Sequence, residues 1–331
     1  MKHELKSDSL VSVVAPIYNE AENIDAFVGE VYQALLELSL PCPFEMVLCD
    51  DGSHDGSGEK LDEWAARNPD QVRILHLARN FGHPAALSAC IEHARGDVVV
   101  VMDGDMQDDP AAFRLFIEKW REGHDVVYAI RTSREENALL RLLYWTFYRL
   151  LKWMARVDMP LDAGNFGLMD RRVVDCLRRM PERHIYLPGL RAWVGFSQAG
   201  VSVRRRPRYD RKSRVRLFGL FGLAMNALFS FSNVPLFVFR IAGLMVIVPS
   251  GFLVLSAVAR KFMWGAAFSP SANLMVTILF FLGVNLLGLG VLGEYLLRIY
   301  EEVKGRPKYI IDRITEGRTS RQGCAGPREE L

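Results

Sequence analysis

The sequence predicts an α/β protein built on a parallel, doubly wound sheet and continued by two apolar segments long enough to cross a membrane. Residues 10–130 alternate short β-branched runs with stretches of helical periodicity, the pattern of a parallel sheet wrapped by helices. Nearer the C-terminus, Ile241–Ala259 and Leu274–Gly293 are uncharged over 19 and 20 residues, the length a helix needs to traverse ~30 Å of hydrocarbon. Acidic and glycine-rich clusters fall where the predicted strands end, the place where such sheets gather ligands.

VSVVAPIY, residues 11–18, reads as the first strand, and EAENIDAFVGEVYQALLEL, residues 20–38, repeats apolar residues at helical spacing. FEMVLCDD (44–51) is a second strand, followed by a helix around Gly58–Arg67, the strand VRILHL (72–77), a helix over Pro84–His93 and the strand DVVVVMD (97–103). DVVYAI (125–130) is a further strand. Three of these strands end in polar motifs: Tyr18-Asn19-Glu20, Asp50-Asp51-Gly52-Ser53 and Asp103-Gly104-Asp105.

Beyond residue 131 the pattern changes. In residues 137–157, Arg141, Arg149, Lys152 and Arg156 punctuate a Leu-, Tyr-, Trp- and Phe-rich helix, which suits either a membrane surface or an ordinary core. Residues 215–235 carry almost no charge after Arg216 and read as an interfacial segment. Arg204–Arg216 holds eight basic residues against one acid, Asp210; Arg298, Lys304, Arg306 and Lys308 follow the second apolar run, and the connection has only Arg260 and Lys261. The positive-inside rule then places the N-terminal part and the tail in the cytoplasm, with the connection facing outward. The organisation expected is a cytoplasmic catalytic domain over 1–210, a juxtamembrane segment over 211–235, two spans within 236–297 and a basic tail over 298–331.

A net charge of +2 gives no ground for a nucleic-acid partner, and five scattered cysteines without metal-ligand spacing suggest reduced thiols. MKHELKSDSL has no apolar h-region, so no secretory signal is expected.

The densest chemistry is in VMDGDMQDDP, which places Asp103, Asp105, Asp108 and Asp109 within seven positions. Two carboxylates ~4 Å apart repel by about 4 kcal/mol at an effective dielectric near 20. A hard divalent cation shared with substrate phosphates would remove that repulsion. A calcium loop of the EF-hand kind fits less well, because the run lacks glycine at its sixth position. Asp108 and Asp109, just before Pro110, read as the start of the next helix.

Taken together, VSVVAPIYNEAENI, CDDGSHDGS, LARNFGHPAAL, DGDMQDDP, DAGNFGLMDRR and GEYLLRIYEEVKGRPKYI resemble the polyprenyl-phosphate glycosyltransferases of glycosyltransferase family two, over about residues 10–310. The resemblance implies a glycosyltransferase A-type domain facing the cytoplasm. It implies that Pro16, Tyr18, Glu20, Asp51 and Asp103 hold the nucleotide sugar and that Asp103, Asp105 and Gln107 coordinate Mg²⁺ or Mn²⁺. An extended D-x-D-x-Q segment would turn all three side chains to one side. Arg131, Arg208, Ser213 and Arg214 match positions that meet the acceptor phosphate, and Asp105, Asp162, Asn165 and Arg131 are the catalytic candidates.

The activity implied is inverting transfer of one hexose, foremost glucose from UDP-glucose, to undecaprenyl phosphate, for modification of an envelope glycan. The setting implied is a multi-pass, homo-tetrameric protein of the cytoplasmic membrane. Two departures bear on mechanism. Relatives often have Gly-Asp-Phe-Arg where this chain reads Gly164-Asn165-Phe166-Gly167, and Arg211 stands where glycine is usual. Asparagine cannot serve as a base, which leaves Asp162 or no base at all, since a phosphomonoester is already mostly ionised near neutrality. Transfer of mannose, an N-acetylhexosamine or an aminoarabinose-type sugar, and an inactive module of the same fold, are the alternatives. A processive synthase is disfavoured by the lack of a Gln-x-x-Arg-Trp motif.

Overall fold

The computed structural model describes residues 3–131, 163–180, 182, 186–203, 206, 245, 270–316 and 319–322. The strands are β1 (Val11–Ile17), β2 (Phe44–Asp50), β3 (Val72–Leu77), β4 (Val98–Val101), β5 (Val126–Arg131), β6 (Ala163–Asp170), β7 (Gln198–Val203), β8 (Ile311–Glu316) and β9 (Thr319–Gln322). The helices are α1 (Ile24–Glu37), α2 (Ser57–Arg67), α3 (His83–His93), α4 (Ala112–Arg121), α5 (Arg171–Arg178), α6 (Leu187–Trp193) and α7 (Pro270–Val303).

One sheet takes all nine strands in the order β7-β5-β6-β4-β1-β2-β3-β8-β9. Its centre, β3-β2-β1-β4, is parallel, as the alternating pattern requires. The rest makes the sheet mixed rather than purely parallel. β6 runs antiparallel between β4 and β5, and at the far edge β8 runs antiparallel to β3 and β9 antiparallel to β8. These additions have weak sequence signals: β6 (AGNFGLMD) contains two glycines and β8 (IDRITE) is mostly polar. Ile311–Glu316 and Thr319–Gln322, expected as part of a basic tail, are thus sheet strands. Their polar side chains have partners there, with Arg313 and Thr315 both bonded to Asp62 on α2.

The core follows from the periodicities. β1, β3 and β4 are buried along their whole length. On α1, Ile24, Phe27, Val28, Val31 and Leu35 recur at three- and four-residue intervals and are buried. Phe113, Phe116 and Trp120 give α4 the same stripe, and the Phe116 and Phe166 rings meet edge-on at 4.9 Å. A buried ion pair enters this core with its own hydrogen-bond network. Arg73 and Glu45 are each 7% exposed and bond at 2.9 Å. Ser12 Oγ and the Arg95 N–H each donate to Glu45 Oε1 at 2.6 Å.

The sheet and its helices form one compact unit that includes residues 306–331, and a second unit comprises residues 153–156 and 217–305. The second contains α7, a helix of 34 residues. The expectation of two spanning helices is not supported by the described residues: among them no helix is long and apolar enough to cross a membrane. Ile241–Ala259 lies outside them apart from Met245, and so do several side chains of α7. The interfacial segments 137–157 and 215–235 lie wholly outside.

Candidate active site

Each parallel strand of the centre ends at the same edge, and the four loops leaving that edge are sewn to one another. After β1, Asn19 turns with φ 51° and its N–H donates to Ser53 Oγ at 3.0 Å, while its own Oδ1 accepts from the His54 N–H at 3.0 Å. The Glu20 N–H donates to Ser57 Oγ at 3.0 Å, joining the first loop to the start of α2. After β2, Asp51 is 2% exposed and accepts the N–H groups of Phe81 (2.7 Å) and Gly82 (2.9 Å) from the loop after β3. Gly52, at φ 68°, lets the second loop lie against the third, for a Cβ there would come within 2.6 Å of Arg79.

The acidic loop after β4 is held more closely still. β4 stops at Val101, earlier than the pattern suggested, and Gly104–Met106 turn, with Met106 in the left-handed region at φ 62°. The expected extended D-x-D-x-Q alternation is therefore not what presents these side chains. A folded loop does, in which Asp105 Oδ1 accepts from the Gln107 N–H at 3.2 Å. Asp108 does not begin α4. It is 6% exposed and folds back so that Oδ2 accepts from the Asp103 N–H at 3.2 Å. Asp109 does not cap α4 either: the residue before the helix is Ala111, whose N–H donates to Asp109 Oδ1 at 3.0 Å in the turn that precedes it.

His83, the first residue of α3, lies 3.0 Å through Nε2 from Asp103 Oδ1. Burial pulls its pKa down, but the hydrogen bond to Asp103 and the charges of Asp103, Asp105 and Asp51 more than offset this and raise it. Carboxylates from two loops thus converge on one half-exposed imidazole. Asp51 is shifted upward by burial, despite its two N–H donors, and the neighbouring Asp50 adds to the shift. Asp50 itself is lowered: burial opposes this, and hydrogen bonds from His76 and Ser53 outweigh it.

Of the residues expected at a site, Pro16, Tyr18, Glu20, Asp51, Asp103, Asp105 and Gln107 all lie at this edge. Tyr18 is 37% exposed, and the Pro16 carbonyl backs the acidic loop at Gly104. Asn165 lies on β6 between Ala163 and Gly167, where the pairing with β5 shifts register, beyond the last pair with β4, Val101 with Gly167. Arg131 ends β5, while Asp162, Arg208, Ser213 and Arg214 lie outside the described residues.

Sequence reasoning gave no site role to His83, Arg191 or Arg206. His83 sits in LARNFGHPAAL, a motif loop that pointed to it. Arg191 had no such signal. It is 1% exposed and its guanidinium donates to the carbonyls of Gly164 and Asn165, pinning the start of β6. Burial lowers its pKa to about 10.

The donor set at the acidic loop fits a hard cation, since Asp103, Asp105 and Gln107 offer oxygens only. A second cluster, His3, Asp125 and Asp170, lies toward the other end of the strands, and Arg172 already bonds both of its carboxylates.

A strand-end edge of carboxylates on a mixed α/β sheet is a ligand site of the general kind such sheets form, and comparison with known proteins gives its family. The glycosyl transferase family 2 model matches residues 12–178. The chain belongs to that family and is a glycosyltransferase. It is 38% identical over 306 residues to an uncharacterised glycosyltransferase of Synechocystis sp., covering 91% of this chain and 94% of the relative. To the SfII prophage-derived bactoprenol glucosyl transferase of Shigella flexneri it is 37% identical over 309 residues, 93% of this chain and 99% of the relative. A solved mannosyltransferase of Pyrobaculum calidifontis, in complex with GDP-Man and Mn²⁺, overlaps 85% of this chain and 87% of its own at 16% identity and a TM-score of 0.44, too distant to carry an argument.

Proposed function

We propose that this glycosyltransferase moves one hexose, glucose from UDP-glucose in the first instance, to a polyprenyl phosphate, with inversion, at the cytoplasmic face of a membrane. The observation that carries the reading is the shared edge of Asp51, Asp103 and Asp105 in a chain that matches a bactoprenol glucosyl transferase along almost its whole length. Asp103, Asp105 and Gln107 would hold Mg²⁺ or Mn²⁺, which neutralises charge on a departing diphosphate when bound. Tyr18, Glu20 and Asp51 line the first two loops, where the nucleoside would rest.

In the reaction, an oxygen of the acceptor phosphate forms a bond to the anomeric carbon as the bond from that carbon to the nucleoside diphosphate breaks. The acceptor is already largely ionised at neutral pH, so Asn165 need not take a proton. Asn165 and the backbone that Arg191 pins beside it would shape the position of attack, and placement supplies the rate. Asp162 is the other candidate for a base, and Arg131, Arg208, Ser213 and Arg214 are the proposed acceptor contacts.

The membrane setting is supported by α7. Leu274, Ile278, Leu282 and Leu286 recur every four residues and are each more than half exposed, an apolar stripe suited to lipid. With Ile241–Ala259 it would form the two spans, 211–235 and 137–157 would lie at the interface, and four copies would assemble. The test is a panel of nucleotide sugars offered with polyprenyl phosphate and Mn²⁺, with the lipid product identified by mass spectrometry. A hexosyl-phosphoryl-polyprenol from UDP-glucose is expected; no lipid product with any donor would overturn the reading.

A further inference from the structure

The acidic loop has no ladder to fix its second half, so the contacts that hold Gln107 and Asp109 in place decide where a cation would sit. One residue makes them from outside the loop. The Arg206 N–H donates to the Gln107 carbonyl at 3.0 Å. Its guanidinium reaches Asp109 Oδ1 at 3.0 Å through Nη2 and Glu30 on α1 through Nη1. Arg206 is one of the eight basic residues of Arg204–Arg216, yet it faces two carboxylates of the sheet unit. Its charge is committed to Glu30 and Asp109 and is not spare for a lipid headgroup.

We propose that Arg206 is a positioning residue which sets the cation affinity of the Asp103–Gln107 loop and links that affinity to the basic segment following β7. This rests on the reading that Asp103, Asp105 and Gln107 hold the cation. Residues 107 and 206 share a peptide hydrogen bond, so moving the chain at 206 moves the backbone of a metal-ligand candidate. In sequence the basic run continues from 206 toward Arg208, Ser213 and Arg214, the proposed acceptor contacts. A ligand of that run that shifts the chain at 206 would also shift the loop, and linkage would make the effect reciprocal.

The half of this grip that mutation can remove is the guanidinium. Its contacts are partly exposed, at 40% for Arg206, 33% for Glu30 and 30% for Asp109, so their loss should cost the fold little. Cation affinity should suffer more, because a divalent ion tolerates small errors in ligand placement poorly.

The experiment measures Mn²⁺ binding to the purified full-length chain with UDP present, by the loss of the free Mn²⁺ electron paramagnetic resonance signal, alongside cooperative unfolding without metal. Arg206→Gln should weaken Mn²⁺ binding about 5-fold, the lower end of couplings between sites, with an unfolding midpoint close to the wild type. Arg206→Lys should recover part of the affinity, and Asp109→Asn should weaken binding without adding fully to Arg206→Gln. Glu30→Gln provides the same comparison should Arg206→Gln fold poorly. Wild-type affinity in Arg206→Gln and Glu30→Gln, when Asp103→Asn has lost Mn²⁺ binding, would overturn the role of Arg206 and leave the metal site standing. No Mn²⁺ binding by the wild type would overturn both.

Discussion

Replacing Gly104 with alanine should separate the placement of the acidic loop from the identity of its ligands. A Cβ at this position would lie 2.3 Å from Ile17 Cδ1 and 3.0 Å from the Pro16 carbonyl oxygen. Apolar carbons settle no closer than about 3.5 Å, so the first contact is short by roughly 1.2 Å. Ile17 is 1% exposed and packed within the core, which leaves its methyl little room to withdraw. The second obstacle is backbone, in a strand paired on both sides. The loop must therefore lift by about 1 Å, carrying Asp103 and Asp105 with it.

Overpacking of this kind costs about 1–3 kcal/mol of stability, and a misplacement of about 1 Å can cost on the order of 100-fold in turnover. Gly104→Ala should thus fold, with a moderately lowered unfolding midpoint, while sugar transfer falls by about two orders of magnitude and the Mn²⁺ needed for half-maximal rate rises. The assay is release of UDP at graded Mn²⁺, with circular dichroism to confirm the fold. Wild-type turnover with an unchanged metal requirement would refute the claim that Pro16 and Ile17 set the loop.

Three further outcomes follow from burial and charge. Glu45→Ala should destabilise the sheet unit by about 3 kcal/mol in urea unfolding, because it strips the main partner from a buried guanidinium; Arg73 keeps a contact with Glu316 at 3.2 Å, which holds the loss near that level. Glu63→Ala removes a pair with Arg67 of similar length, 2.9 Å, but both side chains are 64% exposed, so less than ~0.5 kcal/mol should be lost. Equal effects would show that burial is not what makes the first pair matter. His76 lies between Asp50 (3.2 Å) and Asp62 (2.8 Å); burial opposes its charge, but those two hydrogen bonds win and raise its pKa, while Asp50 and Asp62 are lowered. The histidine's contribution is full below about pH 6.5 and fades as pH climbs through the raised value, and the carboxylates' contribution fades below about pH 4. His76→Asn should therefore destabilise most near pH 5–6 and progressively less as pH climbs through the raised value, and a penalty independent of pH would refute the charged trio.

Much of the site was legible because its signals are local. A β-branched run reports a strand, and polar residues at its end report a loop on one edge; for β1, β2 and β4 that sufficed to gather Tyr18, Glu20, Asp51, Asp103 and Asp105. Long-range pairing leaves little trace in composition. Nothing in IDRITE announces a partner in β3, and nothing in Arg206, one arginine among eight, distinguishes a loop anchor from a headgroup contact. The conformation of the acidic loop also escaped the sequence. D-x-D-x-Q is compatible with an extended segment, and the turn at Met106 depends on Asp108 folding back to Asp103 and on Gly104 fitting beneath the Pro16 carbonyl.

What the sequence determined by itself was the order of elements, the parallel centre of the sheet and the edge at which carboxylates collect, since each depends on side chains only a few positions apart. Tertiary structure alone decided that β6 reverses between β4 and β5. It decided too that Asp103 faces His83, and that Arg191 and Arg206 hold the neighbouring backbone. Those contacts join residues 20 to 99 positions apart. Their partners are chosen by which surfaces the packed sheet brings together, a property of the whole chain rather than of any stretch of it.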